Sequence, residues 1–168
     1  MIKRNTRRDV LDLFHGPTLS QLATISEDGR PWTRYVMSQM DDDMTIRIPT
    51  KSTTRKVGEI ERDKFVHVLV GRNLFGRDGA YAQIEAQAKL SRDPAELRRF
   101  WHDSFRRYFT GPNDPTYVLI QVQPYRIEYW SMMNAENPAV LEEDQITPSG
   151  VCWEEEETAE ENVEEATC

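Results

Sequence analysis

The pattern of apolar and polar positions divides the chain into short alternating segments with turn residues between most of them. Residues 7–14 carry Val10, Leu11, Leu13 and Phe14 on one side of a short amphipathic helix, which Gly16-Pro17 stops. Residues 18–26 read as a strand, with Leu19, Leu22, Ala23 and Ile25, and Glu27-Asp28-Gly29-Arg30 forms a turn. Residues 31–40 form a second strand, Asp41-Asp42-Asp43 the next turn, and residues 44–49 a third strand. A helix is expected over residues 51–62, capped by Ser52, Thr53 or Thr54, with Val57 and Ile60 inward.

The second half repeats the alternation at greater length. Residues 65–70 are a β-branched, buried strand, and residues 72–79 a loop. Residues 80–91 set Ala82, Ile84, Ala86, Ala88 and Leu90 against Gln83, Glu85, Gln87 and Lys89, the mark of a strand with one wet face. Asp93-Pro94-Ala95-Glu96 opens a helix that the stripe of Leu97, Phe100, Trp101, Phe105, Tyr108 and Phe109 carries to about residue 109. Residues 110–115 end it. A last strand covers residues 117–122 and extends over 126–130 past Pro124. Six strands and about three helices predict a mainly β fold, a small antiparallel barrel with helices packed outside.

Charge changes the picture at Asn134. The 168 residues hold 29 acidic and 21 basic side chains, a net charge of -8. Twelve of the acids and none of the Lys or Arg lie in residues 134–168, so residues 1–133 keep 17 acids and all 21 bases, a net of +4. The expected organisation is a folded domain over residues 1–133 and an acidic, disordered tail over 134–168, with Val140-Leu141 and Val151-Cys152-Trp153 as its apolar patches. A net of +4 is too weak to argue for nucleic acid. No apolar run is long enough for a membrane span, and the basic start lacks an apolar segment for secretion. Cys152 and Cys168 have neither zinc spacing nor the density of a disulfide scaffold, and His15, His67 and His102 are scattered. No metal site and a cytoplasmic setting are expected.

Two stretches carry candidate chemistry. Between Thr50 and Lys56 lie four hydroxyls and three cations, where the third strand hands over to a helix. A phosphate dianion is held by such cations, hydroxyls and helix N-terminal N–H groups. The alternative is an exposed helix start with Arg55 paired to Glu59 at i,i+4. Arg34 stands among Trp32, Tyr35, Val36 and Met37 in the second strand and needs a partner, either a shared phosphate or a carboxylate such as Glu59 or Glu61. A third feature is the basic face of the later helix, with Arg98, Arg99, His102, Arg106 and Arg107, which is either solvated or covered by the acidic tail.

The order and spacing of several segments resemble a known family. They are Leu22-Ala23-Thr24-Ile25, Asp28-Gly29-Arg30-Pro31, Arg34-Tyr35-Val36-Met37, Thr50 followed by Arg55-Lys56, Glu85-Ala86-Gln87-Ala88, Trp101, Asn113-Asp114-Pro115, and the strand ending in Tyr129-Trp130. The chain resembles the flavin-binding split-barrel superfamily of pyridoxamine 5′-phosphate oxidases, most closely its general stress protein 26 branch, over residues 7–130. The resemblance implies a homodimer with flavin mononucleotide (FMN) at the subunit interface; FAD, the deazaflavin F420 or haem are the other ligands of such barrels. By the same analogy Arg34, Arg55 and Lys56 grip the phosphate, Thr50 adds a hydroxyl, and Tyr35, Val36, Met37 and Pro49 run along the ribityl chain and ring edge. Trp130 is a candidate ring contact. The implied activity is electron transfer from a reduced nicotinamide to an acceptor, with a non-catalytic flavin-binding stress or sensor module as the runner-up. Gln39 replaces the family's lysine, Glu85 its usual glycine, and the Arg- and His-rich segment that grips the oxidases' substrate is absent, which argues against vitamin B6 synthesis.

Overall fold

The computed structural model describes residues 5–73, 76, 78–133 and 137–146. Six antiparallel strands close on themselves: β1 (Thr18–Ile25), β2 (Pro31–Met40), β3 (Ile46–Lys51), β4 (Phe65–Arg72), β5 (Ala80–Ser91) and β6 (Tyr117–Ser131). The sheet runs β3-β2-β1-β4-β5-β6, and pairing of β3 with β6 completes the expected barrel. Each of those strands has two neighbours among them, although β2 and β3 meet only briefly. Inward positions such as Leu22, Ile48, Val68, Ile84 and Ile127 fill the interior.

Strand bounds depart from expectation where the backbone has a reason. β3 starts at Ile46 instead of Met44 because Met44 takes φ 69°, closing a turn through its N–H to Asp41 O at 2.8 Å. Pro124 does not interrupt β6. It pairs with Ala86 at a β-bulge, where Arg126 already pairs with Glu85, so Tyr125 is the extra residue, and such bulges are where a strand accepts proline.

The three expected helices are present and shorter. They are α1 (Thr6–Leu11), continued by a 3-10 turn at Asp12–Phe14, α2 (Arg55–Arg62), and α3 (Pro94–Phe100). α3 ends because Trp101 turns to ψ 134°, and a separate 3-10 turn, Asp103–Arg107, follows. Side chains expected on one continuous helix instead wrap a second small core. Trp101 meets Phe105 edge-on at 5.9 Å and Tyr117 at 5.6 Å, and Phe109 lies 4.8 Å from Tyr117. Burial pushes the Tyr117 phenol up to about 12. Its hydroxyl finds no hydrogen-bond partner among the described residues. Tyr117→Phe is therefore expected to stabilise the fold by about 1 kcal/mol in urea denaturation, because it removes a buried unsatisfied group and keeps the ring.

The loop before β6 is tied by Asp114. Its carboxylate accepts from the N–H and hydroxyl of Thr110 at 2.8 and 3.0 Å, and from those of Thr116 at 2.8 and 2.7 Å. The Thr110 N–H first, then the Thr116 hydroxyl and N–H, hold the Asp114 carboxyl well below the usual carboxylate range. A depressed carboxyl contributes stability above its unfolded pKa, near pH 4, and that contribution fades as pH falls further. The stability gap between wild type and Asp114→Ala is expected to be full at pH 6 and to narrow as pH drops below about 4.

The expectation of a disordered tail from Asn134 is corrected over its first part. Residues 137–146 fold back as a seventh strand, β7 (Ala139–Glu142), paired with β6, and a last helical turn, α4 (Glu143–Ile146). Leu141 and Ile146 enter the main core, and Arg7 of α1 donates to the Ile146 carbonyl at 2.9 Å. These apolar side chains supply the burial that the charge count concealed. Residues 147–168, with Cys152, Trp153 and Cys168, lie outside the described residues. Among the described residues no helix is long and apolar enough to cross a membrane.

Candidate functional site

β2 and β3 pair only at Gln39↔Arg47 and Met40↔Ile46. Beyond that crossing β2 continues with β1 and β3 continues with β6, so the two strands part. α2 begins four residues after the end of β3 and reaches β2 through the contacts of Glu59 with Arg34 and of Arg55 with Trp32. Four of the predicted site residues gather there. Thr50, buried, ends the inward row of β3, Arg34 sits on the inward row of β2, and Arg55 and Lys56 open α2. Thr54 holds the N-cap position of α2, but its hydroxyl makes no cap bond; it donates to Lys51 O at 2.8 Å and lies 3.3 Å from the Thr50 hydroxyl.

Carboxylate pairing, one of the two solutions open to Arg34, is what the structure shows. Arg34 Nη2 donates to Glu59 Oε2 at 2.7 Å, and its Nη1 donates to Thr24 Oγ1 at 2.5 Å and to Leu22 O at 3.3 Å. The i,i+4 pair is also present, with Arg55 Nε 2.9 Å from Glu59 Oε1, and the Arg55 guanidinium lies 4.0 Å above the Trp32 ring. Thr24 donates to Glu59 Oε2 at 2.6 Å. Burial pushes the Glu59 carboxyl up, but the Thr24 hydroxyl and the charges of Arg34 and Arg55 outweigh it and hold the group below its ordinary value. Burial, and then the Arg34 charge, lower Lys56 from its ordinary value. Lys56 makes no hydrogen bond or ion pair with another described residue.

Thr24 and Trp32 were not anticipated as site residues. A threonine inside the apolar run of β1, paired in register with Trp32, is the signal that could have marked them.

A sequence model of the family described as pyridoxamine 5′-phosphate oxidase matches residues 7–131, which span the barrel and the cationic parting. The chain belongs to the pyridoxamine 5′-phosphate oxidase family. It is 34% identical over 145 residues to general stress protein 26 of Bacillus subtilis, a match covering 84% of this chain and 99% of that one. The crystal structure of general stress protein 26 from Bacillus anthracis is 28% identical, with a TM-score of 0.70 over 83% of this chain and 99% of its own. A protein related to general stress protein 26 from Clostridium acetobutylicum has a TM-score of 0.70 at 17% identity, covering 83% of this chain and 96% of that one, a likeness of fold.

Within this member of the pyridoxamine 5′-phosphate oxidase family, the other predicted residues do not join the cluster. Val36 follows Arg34 on the inward row and is buried, while Tyr35 and Met37 face outward, Tyr35 at 68% exposure. Pro49 precedes Thr50 and pairs with Leu119. Trp130 lies at the opposite end of β6 from Val118, the residue facing Thr50, and stacks on Tyr81 at 5.9 Å and 4°. Its indole N–H is buried and finds no partner among the described residues. Gln39 pairs in register with Arg47 at the crossing, and Glu85 forms an ion pair with Arg126 at 2.8 Å beside the bulge. His67 stands on the outer face of β4, in register between Ala23 and Glu85.

Proposed function

We propose that this chain binds FMN at a site completed by a second copy of itself, and passes electrons in the cytoplasm from a reduced nicotinamide to an acceptor. The observation that carries the reading is the gathering of Arg34, Thr50, Arg55 and Lys56 where β2 and β3 part. This donor set fits a phosphate monoester. It offers an ammonium with no hydrogen bond or ion pair among the described residues, an inward hydroxyl, an arginine over an indole and the N-terminus of an eight-residue helix. Arg34, Arg55, Lys56 and Thr50 would hold the phosphate, and Val36 and Pro49 would flank the chain leading away from it. When bound, FMN supplies the redox chemistry; the protein positions it and sets its electrostatic surroundings.

The second copy is favoured by the outer surface of β1, β2 and β4. Leu19 and Met37 are register partners there, and with Tyr35 and Phe65 they are large apolar side chains left exposed. Such a face is what an obligate partner covers. Tyr35 and Met37 would then meet the flavin or the partner on the outward side of the strand that holds Arg34 inward.

The purified protein is expected to carry a flavin visible absorption spectrum, or to acquire one with FMN, and to release FMN on denaturation. Bleaching by NADH or NADPH without oxygen tests the electron-transfer half. No flavin on purification, together with no binding at micromolar FMN, would overturn the proposal. Flavin that binds but resists reduction would replace the oxidoreductase with a flavin-holding module.

A further inference from the structure

Glu59 stands inside the cation cluster, not beside it. Its carboxylate is 2% exposed; Oε2 accepts from Arg34 at 2.7 Å, while Oε1 forms an ion pair with Arg55 at 2.9 Å and accepts no hydrogen bond from a described residue. Those two guanidiniums are the ones a bound phosphate would use. A carboxylate presents two anionic oxygens to a guanidinium much as a phosphate does, so it competes for the same donors. The competitor is anchored: the Thr24 hydroxyl, itself buried in β1, donates to Oε2, and the residue's own helix is the one that opens with Arg55 and Lys56.

We propose that Glu59 is a specificity-determining residue of this site, a built-in carboxylate that occupies part of the phosphate-gripping donors and weakens the hold on the phosphate end of the ligand relative to its ring. The inference rests on the phosphate reading of the same cluster. Arg34, Arg55 and Lys56 bring three positive charges, and Glu59 cancels one of them before any ligand arrives. The carboxylate thereby keeps the arginines in place, and a phosphate that enters must share them.

Replacing Glu59 by its neutral isostere separates this role from a purely structural one. E59Q keeps an oxygen for the Thr24 hydroxyl, removes the like charge and frees guanidinium donors. FMN is expected to bind E59Q about tenfold more tightly than wild type, a gain read from fluorescence titration. Riboflavin, which lacks the phosphate, is expected to bind both proteins equally. E59D keeps the charge but is one methylene shorter and draws back from Arg55, so its FMN gain is expected in the same direction and smaller. An unchanged preference for FMN over riboflavin in E59Q would overturn the proposal, and if E59Q does not fold, the same result in E59D would do so.

A third arm needs no flavin. At constant ionic strength, inorganic phosphate is expected to raise the thermal midpoint of E59Q more than that of wild type, because a ligand of the native state stabilises according to its affinity. Equal shifts in the two proteins would count against the role of Glu59. Failure of wild type to bind either flavin would instead remove the flavin reading, and the phosphate arm would still decide the fate of Glu59.

Discussion

Arg34→Met is expected to lower the stability of the protein by about 3 kcal/mol, the cost of leaving a buried carboxylate without one of its charge partners. The side chain is of similar length, so the loss reads the charge and its bonds and not a cavity. Arg34 donates to Glu59, Thr24 and Leu22 from two nitrogens, and methionine replaces none of these. Glu59 would keep Arg55 and Thr24, but Arg55 is more than half exposed and solvent screens its contribution. Burial lowers the Arg34 guanidinium from its ordinary pKa, and Glu59 acts against that fall. The pair thus stabilises chiefly by leaving no buried charge alone. Urea denaturation followed by tryptophan fluorescence measures the loss. The double replacement Arg34→Met with Glu59→Met is expected to recover part of it, since no buried charge is then left alone, while the buried Thr24 hydroxyl still loses both of its partners. A double variant as unstable as the single one would contradict this account of the cluster.

The second large effect concerns the end of the chain. Deleting residues 134–168 is expected to cost about 3 kcal/mol more than deleting 147–168, since only the first deletion removes β7 and α4. It strips Leu141 and Ile146 from the main core, removes the ladder between β6 and β7, and leaves Arg7 without the Ile146 carbonyl. Comparing the two truncations by urea denaturation isolates the ordered part from the remaining acidic residues. Equal stability of the two truncated proteins would show that β7 and α4 contribute nothing to the fold.

That second case also marks where the sequence was hard to read. A run holding twelve acids and no Lys or Arg over residues 134–168 looks solvated as a whole. Its ordered stretch depends on two apolar side chains, Leu141 and Ile146, whose burial depends on a strand edge and a helix supplied from far away in the chain. Local periodicity was a reliable guide where an element faces one environment along its length. β5 alternates from Ala80 to Lys89, and β2 lies between two clear turns; both run over the residues expected. It failed where one backbone angle intervenes, as at Met44 and Trp101, or where a bulge absorbs a proline, as at Pro124.

The site shows the same division. Thr50, Arg55 and Lys56 are close in sequence, so their gathering at a helix start was legible. Arg34 joins them through the β1–β2 register and the placement of α2 over it, which no local pattern states. Glu59 was visible as an i,i+4 partner of Arg55 and as one of two acids available to Arg34. Its position between both arginines, with Thr24 beneath, is a product of the tertiary fold. The resemblance placed Tyr35 and Met37 with Arg34, while the alternation of the strand turns them to the other face, toward the surface proposed for a second copy.

The central claim is that the parting of β2 and β3 holds the phosphate of a flavin. Its most direct test is a fluorescence titration of the ligand-free full-length protein with FMN and, in parallel, with riboflavin. The account predicts saturable binding of FMN at micromolar concentration or below, with riboflavin bound more weakly because Arg34, Thr50, Arg55 and Lys56 have no phosphate to hold. FMN bound no better than riboflavin, or neither bound at micromolar concentration, would contradict it.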